Sequence, residues 1–576
     1  MKVVEQKFQL DSWTVGALPI VNRFLDRLRV SDLLAAYLEE PDPRCAIAPQ
    51  KVLLLLLRNL IMDRHPLYSL SEWARSVLPD LIEFDKAELE QLNDDRIGRA
   101  LDRLFDADRL AMLTELVLHM LRSFEVDVSE LHNDSTTLSL QGTYVKADGR
   151  AMRGKPTVEA ARGHSKDHRP DLKQLLWILT VSHDGGVPIH FKVSAGQTED
   201  SSTHIQSWNQ LCELVGRPDF LYVADSKLCT HPNLRHIDER GGGFIAMLPR
   251  GRREDTLFRK WLITASPSWE PIAERPHPRL RHGPPDLILA MESPFADPQG
   301  FRILWFFSSH KMQRDADWRQ DCLRKAQQQL EAFRSKLQGP RCRYHTRKGV
   351  TDCIDTILAS TQTAAYITYE VRCEQEIRYR TVQRGEVSRK YRTGSRKRFV
   401  ITWQSDPSAL QAAAKTDGVF PLITNRRDLS ALQIFTAYRC KQPLVEQRHD
   451  LLKNVLSATP VYLKNIGRLE ALLFLEFIAL MVHALIERQL RWAMQDAGEN
   501  TLPLYPEERP CKAPTTARLI ELFQMVQFHH LRNSASVLQQ FPPQLSETQM
   551  TMIRFAGLQP GAYSCVGLQQ TLATEM

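Results

Sequence analysis

The chain lacks any CxxC pair. Its ten cysteines, Cys45, Cys212, Cys229, Cys322, Cys342, Cys353, Cys373, Cys440, Cys511 and Cys565, stand singly, a distribution that excludes a paired-cysteine zinc framework and fits reduced thiols in a cytosolic protein. The opening MKVVEQKFQL has no basic start, apolar run or small-residue cleavage site, so no secretory leader is expected. Internal repeats and low-complexity tracts are absent too. Long apolar runs are few: VLLLLLRNLIM (52–62) is too short to span a bilayer, and ALLFLEFIALMVHAL (471–485) carries Glu476 and His483. Both are expected to be buried core helices, with no membrane partner. A large charge excess is also missing. The net +7 from 75 basic and 68 acidic residues suits a nucleic-acid binder without identifying one.

What is present is enough apolar residue for several folded units in 576 residues, which excludes a disordered chain. From about 15 to 124 the apolar spacing is helical, as in LPIVNRFLDRLRVSDLLAAYL and DDRIGRALDRLFDADRLAMLTELVLHML, with Asp94 or Asp95 as a candidate cap. An all-helical N-terminal domain over 1–124 is expected. Near 126 the pattern turns to β-branched and aromatic segments: VDVSELHNDSTTLSLQGTY, QLLWILTVS (174–182), VPIHFKV (187–193), a helix over 203–215, DFLYVADS, and GGGFIAMLPR (241–250). These predict an α/β core whose first part covers 125–250.

The segment 265–300 is rich in proline and reads as irregular. Strands are expected at 301–309, 364–372, KRFVITWQS and 419–425, with a charged helix over 315–338. A β-rich insertion over 251–418 follows from this. The last part of the core is placed at 419–495, with helical pattern broken at Pro443 and resumed in VEQRHDLLKNVL. A C-terminal helical tail is assigned to 496–576.

Three acids stand out by position. Asp134 lies within a strand, Asp225 ends another, and Glu446 opens a helix with Lys453 seven residues on, about two turns away and on the same face. Converging carboxylates repel one another unless cations sit between them, and an oxygen-only set suits Mg²⁺ or Mn²⁺ better than zinc. Taken singly, each acid reads more readily as a cap or turn residue.

The strings around these acids carry more information together. HNDSTTLSLQGTY, GHSKDHRPDLKQLLWILTVSHDGGVPI, YVADSKLCT and FPLITNRRDLSALQIFTAYRCKQPLVEQRHDLLKN resemble, in order, the signature blocks of bacterial insertion-sequence DDE transposases. The resemblance is to the sixteen-thirty-four branch of the insertion-sequence-four superfamily. PIVNRFLDRL, NDDRIGRALDRL and YLKNIGRLEALLFLEFIALMVHALIERQLR extend it over about 15–495.

That resemblance implies a ribonuclease-H-like catalytic core with an inserted β-rich subdomain, and catalytic, metal-binding Asp134, Asp225 and Glu446. It also implies a pair of Mg²⁺ or Mn²⁺ ions, and a homodimer on double-stranded DNA that carries terminal inverted repeats and target. Localisation would be cytoplasmic and nucleoid-associated. The superfamily signature places Tyr, two residues, Arg, three residues, Glu, six residues, Lys around the third acid. Here Tyr438, Glu446 and Lys453 take their places, whereas Lys441 stands at the Arg interval from Tyr438 but one residue too far from Glu446. Lys453, Tyr438 and Lys441 are the DNA contacts this implies, and Asp450 is an alternative third acid.

His132 shares a strand face with Asp134 and reads chiefly as a core histidine. His164, Lys166, His168 and Arg169 form a polar connection, of which Lys166 is taken as a DNA contact. RCEQEIRYRTVQRGEVSRKYRTGSRKR (372–398) holds ten Lys or Arg against three Glu. Arg389, Lys390, Arg396, Lys397 and Arg398 form the expected phosphate-binding run. The rival readings are a nuclease of the same fold that cuts without joining, and a DNA-binding regulator derived from a transposase.

Overall fold

A computed structural model describes residues 8–39, 45–163, 166, 169–277, 283–339, 342–385, 387–455, 463–533, 536–559 and 561–564. Two units result, Met1–Ala246 with Thr436–Met576, and Met247–Phe435. The first unit opens on a strand, β1 (Gln9–Thr14), before its helices begin. Among these, Asp94–Asp106 is capped by Asn93, whose side chain accepts from Arg96 N–H at 3.0 Å. Asp94 and Asp95 therefore lie in the first turn, where they favour the helix dipole, and neither is the cap. The buried stripe Ile97, Ala100, Leu101, Leu104, Phe105 packs on the helices Pro49–Met62 and Ile466–Asp496. At Gly98 a Cβ would displace the Arg468 guanidinium, which pairs with both Asp102 oxygens at 2.8 Å.

The sheet of this unit contains β2 (Glu130–Leu140), β3 (Lys173–Ser182), β4 (Pro188–Ala195), β5 (Leu221–Ala224) and β6 (Gly243–Met247), in the order β4-β3-β2-β5-β6. β3 is antiparallel to both β2 and β4, while β2, β5 and β6 run parallel. β3 is buried almost throughout, and its Trp177 stacks on Phe191 of β4, which stacks in turn on Phe477 at 4.7 Å. Phe477 belongs to the helix Ile466–Asp496, the single described helix long and apolar enough to cross a membrane. Here it is a core helix, with residues from Leu473 to Arg488 buried on every face.

The second unit has strands β7 (Glu270–Arg275), β8 (Asp286–Glu292), β9 (Arg302–Ser308) and β12 (Val419–Thr424), antiparallel in the order β12-β9-β8-β7. β7 and β8 correct the expectation of irregular structure over 265–300. The prolines fall in the connections before, between and after these strands, save Pro271, where β7 breaks register at the sheet edge and needs no ladder donor. Between β9 and β12 come the helices Ser309–Gln338 and Arg347–Ser360 and a long hairpin, β10 (Ile367–Arg384) with β11 (Val387–Ser405). Ile367, Val371, Phe399 and Ile401 at the hairpin base join Leu330, Phe333 and Ile354 of those helices in a core of their own. Beyond the Cys373↔Phe399 pair the described side chains are exposed, apart from a half-buried Arg398.

The C-terminal segment is not purely helical, as the sequence reading had it. β13 (Gln527–Arg532) and β14 (Val537–Phe541) form a three-stranded sheet with β1, antiparallel throughout, beside the helices Thr516–Phe523 and Glu547–Phe555. β1 equally corrects the all-helical N-terminal domain. QLDSWT is largely exposed and offers little apolar alternation, and its partner lies some 500 residues away in the chain.

Glu476 is fully buried in the long helix, and its Oε2 meets no hydrogen-bond partner among the described residues. Burial pushes its carboxyl up to about 8, against the pull of Arg64. The fold therefore keeps a proton that the unfolded side chain releases near its ordinary value of 4.5. Stability should be least affected below that value and fall as pH rises toward about 8, at roughly 1.4 kcal/mol per unit at most. Denaturant unfolding of wild type and Glu476→Gln at acid and alkaline pH measures this. The mutant should gain on wild type by a few kcal/mol as pH rises, and a constant difference between the two would refute the assignment.

Candidate active site

Parallel pairing of β2 with β5 sets Asn133 beside Ala224. One residue further along stand Asp134, within β2, and Asp225, just past the end of β5, so the two follow neighbouring parallel strands in matching register. Asp225 follows the buried LYVA strand and accepts the Lys227 N–H at 2.9 Å. Burial raises its carboxyl above the ordinary range, the Lys227 N–H opposes this, and the charges of Asp134 and Asp200 push it up further against Lys166. Burial acts the same way on Asp134, but His449, Lys166 and the Ser135 N–H together hold that carboxyl below its usual value. Of two adjacent carboxyls, one is held ionised and the other resists ionisation. Burial is the larger cause of the rise at Asp225, and the charge of Asp134 adds to it.

The face of β2 that carries Asp134 also carries Glu130 and His132, and the segment from 437 to 455 lies along it. Lys441 Nζ binds Glu130 Oε2 at 2.7 Å. Gln442 sets its Oε1 3.0 Å from His132 Nδ1 and donates from Nε2 to the Asn133 carbonyl at 3.1 Å. His132 Nε2 lies 2.9 Å from Glu130 Oε1, so both ring nitrogens are engaged within the protein. Burial would raise the Glu130 carboxyl, yet the bonds from His132 and Lys441 bring it down to about 2. His449 completes the row with Nδ1 3.6 Å from Asp134 Oδ2.

Helical geometry along this segment departs from expectation at Pro443. The chain is not broken there: Ala431–Thr436 runs into a π turn, Ala437–Lys441, then into the helix Pro443–Asp450 and a second π turn, Leu451–Val455. Gln442 N–H reaches back five residues to the Ala437 carbonyl at 3.2 Å. A proline has no N–H and crowds the carbonyl four residues back, and a wider turn just before it meets both demands. The π turn holds one residue more than an α turn, which accounts for Lys441 standing one residue too far from Glu446. The second π turn limits the α-helical spacing between Glu446 and Lys453 to the stretch before Leu451.

Arg448 fixes the helix in place. It is buried, pairs with Glu487 at 2.8 Å, and donates to the carbonyls of Gly186 (3.0 Å) and Gly185 (2.9 Å) in the turn between β3 and β4. Those glycines have φ of +65° and +79°, and a Cβ on Gly185 would strike the Arg488 side chain. Arg488 in turn grips Asp184 of the same turn at 2.9 and 2.6 Å. The string HDGGVPI is thus the socket for the helix that carries Glu446.

Glu446 is exposed, and its charge is felt at the buried Tyr438 hydroxyl, which burial raises first and Asp225, Asp134 and Glu446 raise further. Asp450 is exposed and Lys453 half-buried. Lys166 lies inside the acid group: Nζ is 3.0 Å from Ser135 Oγ, 3.8 Å from Asp134 and 3.5 Å from Asp200. His164 and His168 lie outside the described residues. Arg389, Lys390 and Lys397 are exposed on the hairpin of the second unit, with Arg398 half-buried; the side chain of Arg396 lies outside the described residues. Asp200, at the start of a short 3-10 turn, was missed by sequence reasoning, since nothing in the local string sets it apart from its polar neighbours.

Among the described residues no three Asp, Glu, His or Cys side chains come close enough to hold a metal. Asp134 and Asp225 do fit a hard divalent ion as an open pair. Magnesium is commonly held by one or two carboxylates, with water and substrate phosphate completing the shell.

Replacing Arg448 by Met should destabilise the first unit by about 2–3 kcal/mol, because the buried Glu487 loses its closest cation, keeping Arg491 at 3.7 Å and the Thr516 N–H at 3.2 Å, and two glycine carbonyls lose their donor. Thermal or denaturant unfolding measures this, and a loss below about 1 kcal/mol would remove Arg448 from its structural role.

Residues 10–118 match the model of a domain of unknown function (DUF4277). No curated protein matches the chain. Among solved structures, that of a piggyBac transposase synaptic complex with hairpin DNA is similar over 88% of this chain and 78% of that chain, with 9% sequence identity and a TM-score of 0.37.

Proposed function

We propose that this protein is a DDE transposase that cleaves DNA at the ends of an insertion sequence and joins the freed ends to target DNA. The observation that carries the reading is the placement of Asp134 and Asp225 side by side on parallel strands, with the Glu446 helix docked along the same face of β2. The strand order β4-β3-β2-β5-β6, with two antiparallel steps and then two parallel ones, supports a ribonuclease-H-like core. The ordered signature blocks support the insertion-sequence-four superfamily and its sixteen-thirty-four branch.

Asp134 and Asp225 are the ligands proposed for Mg²⁺ or Mn²⁺, with Glu446 joining them on the assembled DNA complex. Bound divalent ions lower the pKa of an attacking water and stabilise the leaving oxygen of an in-line displacement at phosphorus. The protein contributes orientation. His449 and the Ser135 N–H fix the Asp134 carboxylate, Lys227 N–H fixes Asp225, and the Arg448 socket holds the helix at a set distance from the sheet. Water attacks first at the element end, releasing a 3′ hydroxyl, and that hydroxyl then attacks a phosphodiester of the target. Lys453 and the exposed Arg389, Lys390 and Lys397 supply phosphate contacts, which fix register on DNA without reading sequence. A homodimer would hold two ends together, in the cytoplasm and on the nucleoid.

The test is purified protein with Mg²⁺ or Mn²⁺ on DNA bearing the inverted repeats that flank its coding region. Wild type should cut at the ends and yield joined products. Asp225→Ala and Asp134→Ala should each lower cleavage by at least about 10²–10³-fold, the scale on which charge-stabilising groups act. Cleavage without joining would instead indicate a nuclease. End-specific binding with no cleavage under either metal would indicate a regulator and sink the transposase reading.

A further inference from the structure

The acid face carries a cation of its own. Two sets of contacts place Lys166: its backbone N–H donates to Thr137 Oγ1 at 3.1 Å, and Nζ donates to Ser135 through both the carbonyl and the hydroxyl. From that position Nζ lies between two carboxylates, 3.8 Å from Asp134 Oδ1 and 3.5 Å from Asp200 Oδ2. The two carboxylates are largely buried, with exposures of 21% for Asp134 and 17% for Asp200, while the Lys166 side chain is 34% exposed. Charges there interact more strongly than at a solvated surface. Lys166 and Asp200 also act on Asp225 with opposite signs, so the lysine compensates a group of three aspartates, not one.

A face built to take a divalent cation must survive without it, and like charges on neighbouring strands are destabilising. The lysine answers that need, but an ammonium fixed on Asp134 would also compete with the metal for the same oxygens. Asp200 resolves the conflict, because it offers the ammonium a second seat on the side away from Asp134, already the shorter of the two contacts.

We infer that Lys166 is the resident counter-ion of the metal-free site, and that metal loading shifts its ammonium from Asp134 onto Asp200. Lys166 and Asp200 are then positioning residues that set metal affinity, neither one a ligand. The inference rests on the reading of Asp134 and Asp225 as metal ligands, and it assigns Asp200 a role that its place in the sequence does not suggest.

The experiment is Mn²⁺ titration of the full-length protein without DNA, followed by electron paramagnetic resonance, for wild type, Lys166→Met, Lys166→Arg, Asp200→Asn and Asp225→Ala. Loss of binding in Asp225→Ala identifies the site. Lys166→Met, which removes the competing charge, should bind Mn²⁺ about tenfold more tightly, and Asp200→Asn, which removes the second seat, about tenfold more weakly. Lys166→Arg keeps the charge and should stay within about threefold of wild type. A purely structural lysine gives the reverse, weaker binding in Lys166→Met. Unchanged or weaker binding in Lys166→Met, or unchanged binding in Asp200→Asn, overturns the inference while leaving the metal site standing. If neither wild type nor Lys166→Met binds Mn²⁺ in a manner that depends on Asp225, the metal reading falls and the counter-ion role falls with it.

Discussion

The buried guanidinium of Arg448 is the interaction on which the geometry of the site depends. It reaches from the helix Pro443–Asp450 to two carbonyls of the glycine turn between β3 and β4, and to Glu487 on the long core helix. Three elements remote in sequence are thereby held at one point. A guanidinium suits this because its planar donors can serve two carbonyls and a carboxylate at once, which an ammonium cannot do in fixed directions. The turn must be glycine at 185 and 186, since only glycine adopts their backbone conformation without strain and leaves room for the neighbouring Arg488. With the helix pinned there, Gln442 and His449 meet β2 at Asn133 and Asp134, and Lys441 meets Glu130.

Much of the core was legible because its strands are buried on both faces. QLLWILTVS and LYVA are short, continuous apolar runs, and the structure has strands at both. Asp134 and Asp225 were legible as candidates from the ordered strings around them, HNDSTTLSLQGTY and YVADSKLCT, more than from either residue alone. Their adjacency was not legible, since it follows from a parallel pairing of segments some 90 residues apart. β1, β13 and β14 were missed because each is short, polar and half-exposed, and only their mutual pairing makes them strands. Asp200 was missed because its importance lies in Lys166, which reaches it from a loop that precedes β3.

The π turns show where pattern reading by α-helical period fails for a physical reason. Spacing rules assume that every residue advances the helix by the same angle. A five-residue hydrogen bond before Pro443 adds a residue without ending the helix, so Tyr438 and Glu446 can keep their surroundings while the count between them changes by one. Such bulges are frequent at functional sites. Lys441, the last residue of the first π turn, is committed to Glu130 instead of facing outward.

The openness of the acid pair follows from the same economy of charge. A closed cage of three or four protein carboxylates would bind a divalent ion tightly, yet it would leave no coordination positions for phosphate and water, which phosphoryl transfer requires. On the proposed reading, two aspartates at the sheet, with Glu446 exposed on its helix, would leave those positions to substrate. The price is a metal-free face with excess negative charge, visible in the divergent behaviour of Asp134 and Asp225. His449, the Ser135 and Lys227 N–H groups and Lys166 supply the compensation, and each comes from a different element. The site can therefore be assembled by folding alone, before either metal or DNA is present.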